Sequence, residues 1–287
     1  MRNVLVTGAR GLLGSHLVPL LAGSCRVFAL DRPGRKAAPG VTAIGADLSR
    51  PLDVAALPPR LDAVVHLAQS RRFRDFPEAA GEIFQVNTAQ LVALLDHCRR
   101  VGASHFLHAS TGGVYARSDE PLTEASPLAG PGALGFYAAT KLAGEMLARS
   151  YAPFLTILSL RFFFLYAPNQ PPPMLVPRLI ASVREGRPVT LQGPEGMRTN
   201  PIHAADAAAA VAAALDVPQS AAINVAGPDI LSIRAMALTI GERLGVEPLF
   251  EQADEAGPTD LIGDTTSMRR LLTAPQRRFA DAVGELL

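Results

Sequence analysis

Apolar residues in the first 160 positions form short runs that alternate with longer amphipathic stretches. A buried parallel strand is a nearly continuous apolar run, whereas a surface helix repeats apolar positions every three to four residues. The pattern predicts strands at 3–7, 26–30, 41–44, 63–66, 104–108 and 155–160. It predicts helices chiefly at 12–22, 82–101 and 133–152. Alternating strands and helices predict an α/β fold with a parallel sheet covered on both faces.

The pattern changes after residue 166, where a Pro-rich stretch at 167–173 interrupts the alternation. Helices are predicted at 175–185, 204–215 and 232–244, with one further strand at 222–225. We therefore expect one large domain from 1–166 together with about 203–227. A smaller substrate-binding lobe is expected from about 167–202 and 228–287.

A glycine-rich turn, Gly8-Ala9-Arg10-Gly11-Leu12-Leu13-Gly14, joins the first predicted strand to the first helix. Glycines at this point permit a tight turn and let the backbone approach a pyrophosphate closely. The bound anion is then stabilised by the free N–H groups and the positive dipole of the new helix. The turn predicts a doubly wound Rossmann sheet that binds a dinucleotide, although its spacing differs from G-x-G-x-x-G.

An acid, Asp31, closes the second predicted strand. A carboxylate at this point accepts hydrogen bonds from the ribose hydroxyls of NAD and repels a 2′-phosphate. Arg32 and Arg35 follow directly and are able to bind that phosphate instead. The sequence therefore predicts NAD as the cofactor without excluding NADP.

Lysine is rare in this chain: Lys36 and Lys141 are its only two among 27 Lys and Arg residues. Lys141 follows Tyr137 by four positions on a predicted helix, so both side chains lie on one face. An ammonium beside a phenol is expected to lower the phenol pKa and make it a usable proton acceptor and donor.

These features together resemble the extended short-chain dehydrogenases/reductases of the NAD-dependent epimerase/dehydratase family, which acts on nucleotide sugars. The matching segments span most of the chain: 7–14, Asp31, 47–48, 66–68, 86–87, 109–115, Tyr137 with Lys141, 160–161, 166–168, Arg198, 202–206 and 224–227.

The resemblance implies that Thr111 hydrogen-bonds the reacting oxygen, that Tyr137 is the acid/base and that Lys141 binds the nicotinamide ribose. By the same likeness, Arg198 holds the substrate diphosphate and Phe164 lies beside it. The implied cofactor-binding set is Gly8, Arg10, Gly11, Leu12, Leu13, Gly14, Asp31, Arg32, Asp47, Leu48, Leu67, Ala68, Tyr137 and Lys141.

The departures from the family pattern concern the substrate side. Gly112 and Gly113 stand where the dehydratases carry an Asp-Glu pair, which does not favour elimination of water. Phe164 replaces an Asn that is usual near the diphosphate, and 198–201 differs from the usual Arg-Asp-Phe.

Composition excludes several classes of partner. The net charge of +1 gives no basic surface for nucleic acid, and no apolar run is long enough to predict a membrane span. Cys25 and Cys98 have neither disulfide nor metal-ligand spacing, so we expect no metal and a cytoplasmic location. The family tendency predicts a homodimer.

The leading hypothesis is an NAD-dependent nucleotide-sugar epimerase, acting at C4 by transient hydride transfer through a 4-keto intermediate. An NADPH-dependent ketoreductase of a deoxysugar or another small carbonyl is the first alternative. A non-catalytic NAD(P)-binding sensor is the second, but a sensor has no need of Thr111, Tyr137 and Lys141.

Overall fold

The computed structural model of the chain describes residues 1–34, 38–130, 132–253 and 260–287. Arg35, one of the two arginines considered for a 2′-phosphate, lies outside the described residues.

The strands, in chain order, are β1 Arg2–Thr7, β2 Cys25–Asp31, β3 Thr42–Gly45, β4 Ala63–His66, β5 His105–Thr111, β6 Thr156–Phe162, β7 Leu165–Tyr166, β8 Val189–Leu191, β9 Arg198–Thr199, β10 Ile202–His203, β11 Ala221–Val225, β12 Leu231–Ser232 and β13 Phe250–Gln252. The α-helices are α1 Gly14–Ala22, α2 Ala80–Phe84, α3 Gln90–Val101, α4 Phe136–Arg149, α5 Leu175–Arg184, α6 Ala204–Ala214, α7 Ile233–Leu244, α8 Thr266–Leu271 and α9 Phe279–Ala282.

Seven strands form one parallel sheet in the order β11-β6-β5-β4-β1-β2-β3. The order reverses direction between β1 and β4, whose ends are in register at Thr7 and His66. Open α/β sheets bind their ligands at this kind of switch point, beyond the carboxyl ends of the strands. The prediction of a doubly wound parallel sheet is confirmed.

Each face of the sheet is covered by a separate apolar core. On one face, α1 and α6 pack against the sheet through residues such as Leu17 and Val211. On the other, α3 and α4 do so through residues such as Leu94 and Ala148. Strands that are buried on both faces carry apolar residues at nearly every position. Their continuous apolar runs are therefore what predicts them in the sequence.

A third core lies in the C-terminal part of the chain, where α5, α7 and α9 pack with β8 around Tyr166 and Leu191. Met268 of α8 belongs instead to the core that covers the sheet. The division of the chain into a cofactor-binding domain and a substrate-binding lobe stays a prediction.

The helix predicted at 82–101 is interrupted. A π-helical segment, Gln85–Ala89, separates α2 from α3 and carries the buried Asn87. A π segment adds a residue to a turn without changing the apolar spacing on either side, so periodicity did not reveal it. Asn87 bonds in two directions: its Nδ2 donates to Thr140 Oγ1 at 3.1 Å, and its Oδ1 accepts from the Ser70 amide at 3.1 Å.

None of the described helices combines the length and the apolar character that crossing a bilayer requires. Within the same described ranges, no group of three or more His, Cys, Asp or Glu side chains is placed to hold a metal ion.

Candidate active site

The glycine-rich turn follows β1 and is shaped by contacts that leave no space for side chains. Gly8 has a φ of 66°, and a Cβ there would lie 2.9 Å from the Ala68 amide nitrogen. A Cβ on Gly14 would overlap Gly8 O and lie 2.7 Å from the carbonyl carbon of Ala9. The Gly11 amide closes the turn by donating to Gly8 O at 2.9 Å. The backbone therefore forms a cradle of the kind that a pyrophosphate fills.

The ends of β1 and β4 are tied together under this cradle. Thr7 Oγ1 bonds to His66 Nδ1 at 2.8 Å and accepts a hydrogen bond from the Ala68 amide at 3.2 Å. This bond keeps Ala68 in contact with Gly8, so Leu67 and Ala68 line the same cavity as the turn. The structure therefore brings this pair beside the turn, and its contact with a cofactor stays a prediction.

Two acids of the cofactor-binding set implied by the family likeness also line the cavity. Asp31 ends β2, and its Oδ1 accepts from the Arg32 amide at 2.8 Å. Asp47 accepts hydrogen bonds from the backbone amide and the hydroxyl of Ser49, which hold its pKa below the usual value. Arg10, Arg32 and Leu48 lie around the same cavity, so the cofactor residues predicted from the sequence are brought together.

Thr111 ends β5 and caps a single 3-10 turn, Gly112–Val114. Its Oγ1 accepts a hydrogen bond from the Gly113 amide at 3.1 Å. A hydroxyl that accepts in this way retains its own proton for donation. Thr111 is therefore able to donate to an oxygen atom of a ligand in the cavity, which it lines.

Lys141 lies on α4 with 2% of its surface exposed, and its Nζ donates to the backbone oxygen of Ala109 at 2.9 Å. The ammonium is 5.9 Å from the centre of the Tyr137 ring. Burial lowers the pKa of Lys141 to about 8.

The expected lowering of the Tyr137 pKa is wrong for this arrangement, because burial raises that pKa. The Lys141 ammonium donates its hydrogen bond to the backbone oxygen of Ala109 rather than to the Tyr137 hydroxyl. The spacing of i and i+4 places both residues on one face but does not fix the distance between their polar ends.

The hydroxyl of Tyr137 instead donates to Gln69 Oε1 at 3.0 Å. Gln69 belongs to the segment 67–79 that joins β4 to α2, which we call the tyrosine loop. From the same loop, the Phe73 ring packs on the Tyr137 ring with 4.9 Å between their centres. Neither Gln69 nor Phe73 was predicted as a site residue, since no local pattern marks a contact such as that of Tyr137 with Gln69, 68 residues away.

A buried polar network lies directly behind Thr111. Arg161 on β6 forms a two-pronged ion pair with Glu145 on α4, at 3.0 and 2.6 Å, and donates to the Tyr115 hydroxyl at 2.8 Å. Ser110 donates to the same carboxylate, and the Tyr115 hydroxyl donates to Asn224 Oδ1 at 2.7 Å on β11. A buried charge pair that is hydrogen-bonded on all sides fixes the elements it joins. Here it fixes β5 against α4 and so sets the spacing of Thr111 and Lys141.

The Gly112 position is closed to side chains. A Cβ there would lie 2.7 Å from the Phe163 ring, whereas a Cβ on Gly113 would be 3.5 Å from Thr111 Oγ1. The acid pair of the dehydratases therefore cannot be accommodated at 112 unless the buried Phe163 moves. The sequence departure noted at this point has a structural cause.

The two predicted substrate-binding residues lie in different surroundings. Phe164 lines the cavity and has a φ of 42°, an unusual conformation for a residue with a side chain. Arg198 is bound by Asp260, which accepts from its amide and from its Nε, both at 2.7 Å. Arg198 is not among the described residues that line the cavity. Its assignment to the diphosphate stays a prediction.

The site residues predicted from the sequence, except Arg198, line one cavity of about 1880 Å³. Sites for single small ligands measure roughly 300–1,000 Å³, so this cavity is large enough for two ligands. One end is formed by the glycine-rich turn, and the other by α5 and the segment after it, including Arg178 and Arg187. Tyr137 and Lys141 line the region between these ends.

Comparison with known proteins agrees with this geometry. Residues 4–226 match the model of the NAD dependent epimerase/dehydratase family. A protein of Bacillus subtilis (strain 168) called an uncharacterized UDP-glucose epimerase is 28% identical over 302 aligned positions, which cover 94% of this chain and 92% of that protein.

Two solved structures are similar over almost the whole chain. MoeE5 in complex with UDP-glucuronic acid and NAD has a TM-score of 0.84 and 27% identity, covering 99% of this chain and 97% of that one. The UDP-glucose 4-epimerase of Thermus thermophilus in complex with NAD has a TM-score of 0.81 and 26% identity, covering 98% and 96%. Since the family match extends over well more than half of the residues, the chain belongs to the NAD-dependent epimerase/dehydratase family.

Proposed function

We propose that this enzyme is an NAD-dependent 4-epimerase of a nucleoside diphosphate sugar. The observation that carries the proposal is that Thr111, Tyr137 and Lys141 line the same cavity as the glycine-rich turn and Asp31. The similar proteins described as epimerases of UDP-glucose, and the similar structure that holds UDP-glucuronic acid with NAD, support the substrate class.

The residues on the cofactor side fit NAD. The cradle at Gly8 and Gly14 has the space that a Cβ would occupy, and Asp31 offers a carboxylate oxygen at the end of β2. We assign the pyrophosphate to the turn, the adenosine ribose to Asp31 and the adenine to Asp47 and Leu48. When bound, NAD supplies reversible acceptance and return of a hydride at the sugar carbon.

The protein residues move and hold the proton. Tyr137 removes the proton of the C4 hydroxyl, and Thr111 donates a hydrogen bond to the same oxygen. We assign Lys141 to the nicotinamide ribose, because its ammonium donates to Ala109 O beside the cavity and not to the phenol. After the keto sugar has rotated in its site, Tyr137 returns the proton to the same oxygen. No proton is therefore gained or lost overall.

The structure does not favour elimination of water, the other main reaction of the family. That reaction needs an acid and a base beside the reacting sugar, and the two family positions for them are Gly112 and Gly113. Phe163 fills the space that a side chain at 112 would need.

The test is to incubate the purified protein with a panel of nucleoside diphosphate sugars, with and without added NADPH. We expect interconversion of two C4 epimers without net change in the cofactor, detected by separation of the sugars and by absorbance at 340 nm. Tyr137→Phe should abolish this activity while leaving NAD binding intact.

An NADPH-dependent ketoreductase remains the alternative because Arg32 lines the cavity next to Asp31 and offers a cation for a 2′-phosphate. Stoichiometric loss of NADPH in the same panel would support this alternative. If the protein binds the cofactor but turns over no substrate, and Tyr137→Phe does not change the cofactor affinity, the result would support a non-catalytic NAD(P)-binding sensor.

We also propose a homodimer in a reducing, cytoplasmic setting. Phe84 next to the π segment and Met146 on α4 are 53% and 68% exposed, so a second copy of the chain that packs on these helices would bury them, and both cysteines are buried and free. Light scattering after gel filtration should give twice the mass of 30.3 kDa.

A further inference from the structure

We propose that Gln69 is a positioning residue for Tyr137, and that its side-chain amide pairs with the protonated and the deprotonated hydroxyl in turn. The inference rests on the proposed function, because only an enzyme that passes a proton through Tyr137 needs such a partner. It adds to the Thr, Tyr and Lys set a residue outside the motifs by which the family is recognised.

The position of Gln69 is fixed by its two neighbours. The Ala68 amide donates to Thr7 Oγ1 at 3.2 Å, and the Ser70 amide donates to Asn87 Oδ1 at 3.1 Å. The backbone on both sides of Gln69 is thus bonded to residues of other elements. The Gln69 Oε1 atom lies 3.0 Å from the Tyr137 hydroxyl, and the backbone that carries it is anchored on both sides.

The remainder of the tyrosine loop holds the ring of Tyr137. Phe73 packs on that ring at 4.9 Å, and Phe76 stacks on the neighbouring Phe136 at 4.8 Å. Arg74 lies 5.2 Å above the Phe73 ring and donates to Pro173 O at 2.6 Å, on the other side of the cavity. Ring and hydroxyl are therefore both oriented by one loop.

The chemistry of an amide suits the cycle proposed for Tyr137. A phenol donates its proton to the amide oxygen, whereas a phenolate accepts from the amide NH₂, and a half-turn of the terminal amide exchanges the two. A carboxylate at this position would oppose the phenolate, and an ammonium would oppose the phenol. No proton is transferred to Gln69 in either state, so the proton remains available to the sugar oxygen.

The first test compares the pH dependence of kcat/KM in the full-length enzyme with that of Gln69→Glu and Gln69→Met. In Gln69→Glu, the limb that reports deprotonation of Tyr137 should move up by about one pH unit or more, because a like charge opposes the phenolate. Gln69→Met should lower kcat by about tenfold, since it removes a hydrogen-bond partner of the general base.

The matched control is Gln192→Glu. Gln192 is an exposed residue that lines the same cavity, and the Tyr137 hydroxyl bonds to Gln69 rather than to it. The substitution adds the same charge to the same cavity without replacing the hydrogen-bond partner of the phenol. We expect its pH limb to stay within about 0.3 unit of the parent, because solvent screens an exposed charge that does not contact the phenol.

A second test needs no substrate. Thermal midpoints are measured for the parent, Gln69→Met, Tyr137→Phe and the double variant. Loss of one hydrogen bond should lower the midpoint by about 2 °C, and Gln69→Met should add no further loss in the Tyr137→Phe background.

The two tests separate the inference from the function on which it rests. Coupling of the midpoints without turnover of any sugar would leave the contact standing and overturn the proposed function. Epimerase activity with an unshifted pH limb in Gln69→Glu, or with additive midpoints, would overturn the role of Gln69 and leave the epimerase standing.

Discussion

The two sides of the cavity are built from different materials. The cofactor side is centred on backbone: a glycine-rich turn whose shape is set by contacts of Gly8 and Gly14 with neighbouring main chain. The substrate side consists of side chains from distant segments, such as Phe164, Arg178 and the tyrosine loop. Backbone geometry admits few sequences, whereas paired side chains admit many. A family can therefore retain one cofactor while its substrates diverge.

The largest expected effect lies in the backbone-built side. In Gly14→Ala the new Cβ would overlap Gly8 O and Ala9, which cannot move without opening the turn. Overpacking of this kind costs about 3 kcal/mol, so the Kd for NAD should rise by about 100-fold. Isothermal titration calorimetry measures the Kd.

Gly23→Ala is the control for that variant. Gly23 follows the other end of α1, where a Cβ would meet only Leu20 O at 3.7 Å. We expect its Kd for NAD to equal that of the parent. Equal affinities in all three proteins would show that the cradle does not hold the cofactor.

Lys141, between the two sides, gives a pH-dependent stability. Its pKa is lowered from 10.5 to about 8 in the folded chain, so between these values the unfolded chain binds the extra proton. The free energy of unfolding should therefore rise with pH across that range, by about 3 kcal/mol in total. Below pH 8, Lys141 should contribute no pH dependence to the free energy of unfolding.

The measurement is urea unfolding from pH 7 to 10 of the parent and of Lys141→Met. The parent should gain stability over this range relative to the variant, which lacks the titrating group. Parallel curves would mean that Lys141 is solvated in solution and does not carry the shifted pKa.

On the substrate side, the next largest effect is expected from steric overlap at Gly112. Gly112→Ala places a Cβ 2.7 Å from the Phe163 ring, whereas Gly113→Ala places one in ordinary contact. Overpacking should cost the first variant about 2 kcal/mol and lower its thermal midpoint by about 5 °C. The second should melt with the parent. If the two variants melt alike, sterics at Phe163 do not explain the missing acid pair.

A smaller effect is expected at Asp31. Asp31→Ser removes the carboxylate that we assign to the ribose and leaves Arg32 beside it. The preference for NAD over NADP should fall by about tenfold, since one charged contact is worth roughly 1.4 kcal/mol. The ratio of the two Kd values measures it, and an unchanged ratio would place the ribose elsewhere.

The smallest effect is expected at Arg198. Because Arg198 is not among the described residues that line the cavity and is bound by Asp260, Arg198→Ala should change the KM for a nucleoside diphosphate sugar by no more than about threefold. Asp260→Ala should have a similarly small effect. A rise above tenfold in Arg198→Ala alone would restore the diphosphate role implied by the family likeness.

The same contrast explains what could be predicted from the sequence. The strands, the glycine-rich turn and the relation of Tyr137 to Lys141 depend on spacing within one segment, which the chain displays directly. The bond from Tyr137 to Gln69 and that from Arg198 to Asp260 join positions 68 and 62 residues apart. No local pattern encodes such pairs. The π segment was not predicted from the sequence, because one added residue leaves the apolar spacing unchanged in the helix on either side of it.

Asn87 has a consequence for the redesign of substrate choice. Its single side chain bonds both the tyrosine loop, at Ser70, and α4, at Thr140. A loop transplanted from a relative keeps this link to α4 only if its backbone at position 70 again donates an N–H to Asn87 Oδ1. The tyrosine loop, the π segment and α4 as far as Thr140 therefore form one transferable unit. Exchanges that move all three together should preserve the orientation of Tyr137.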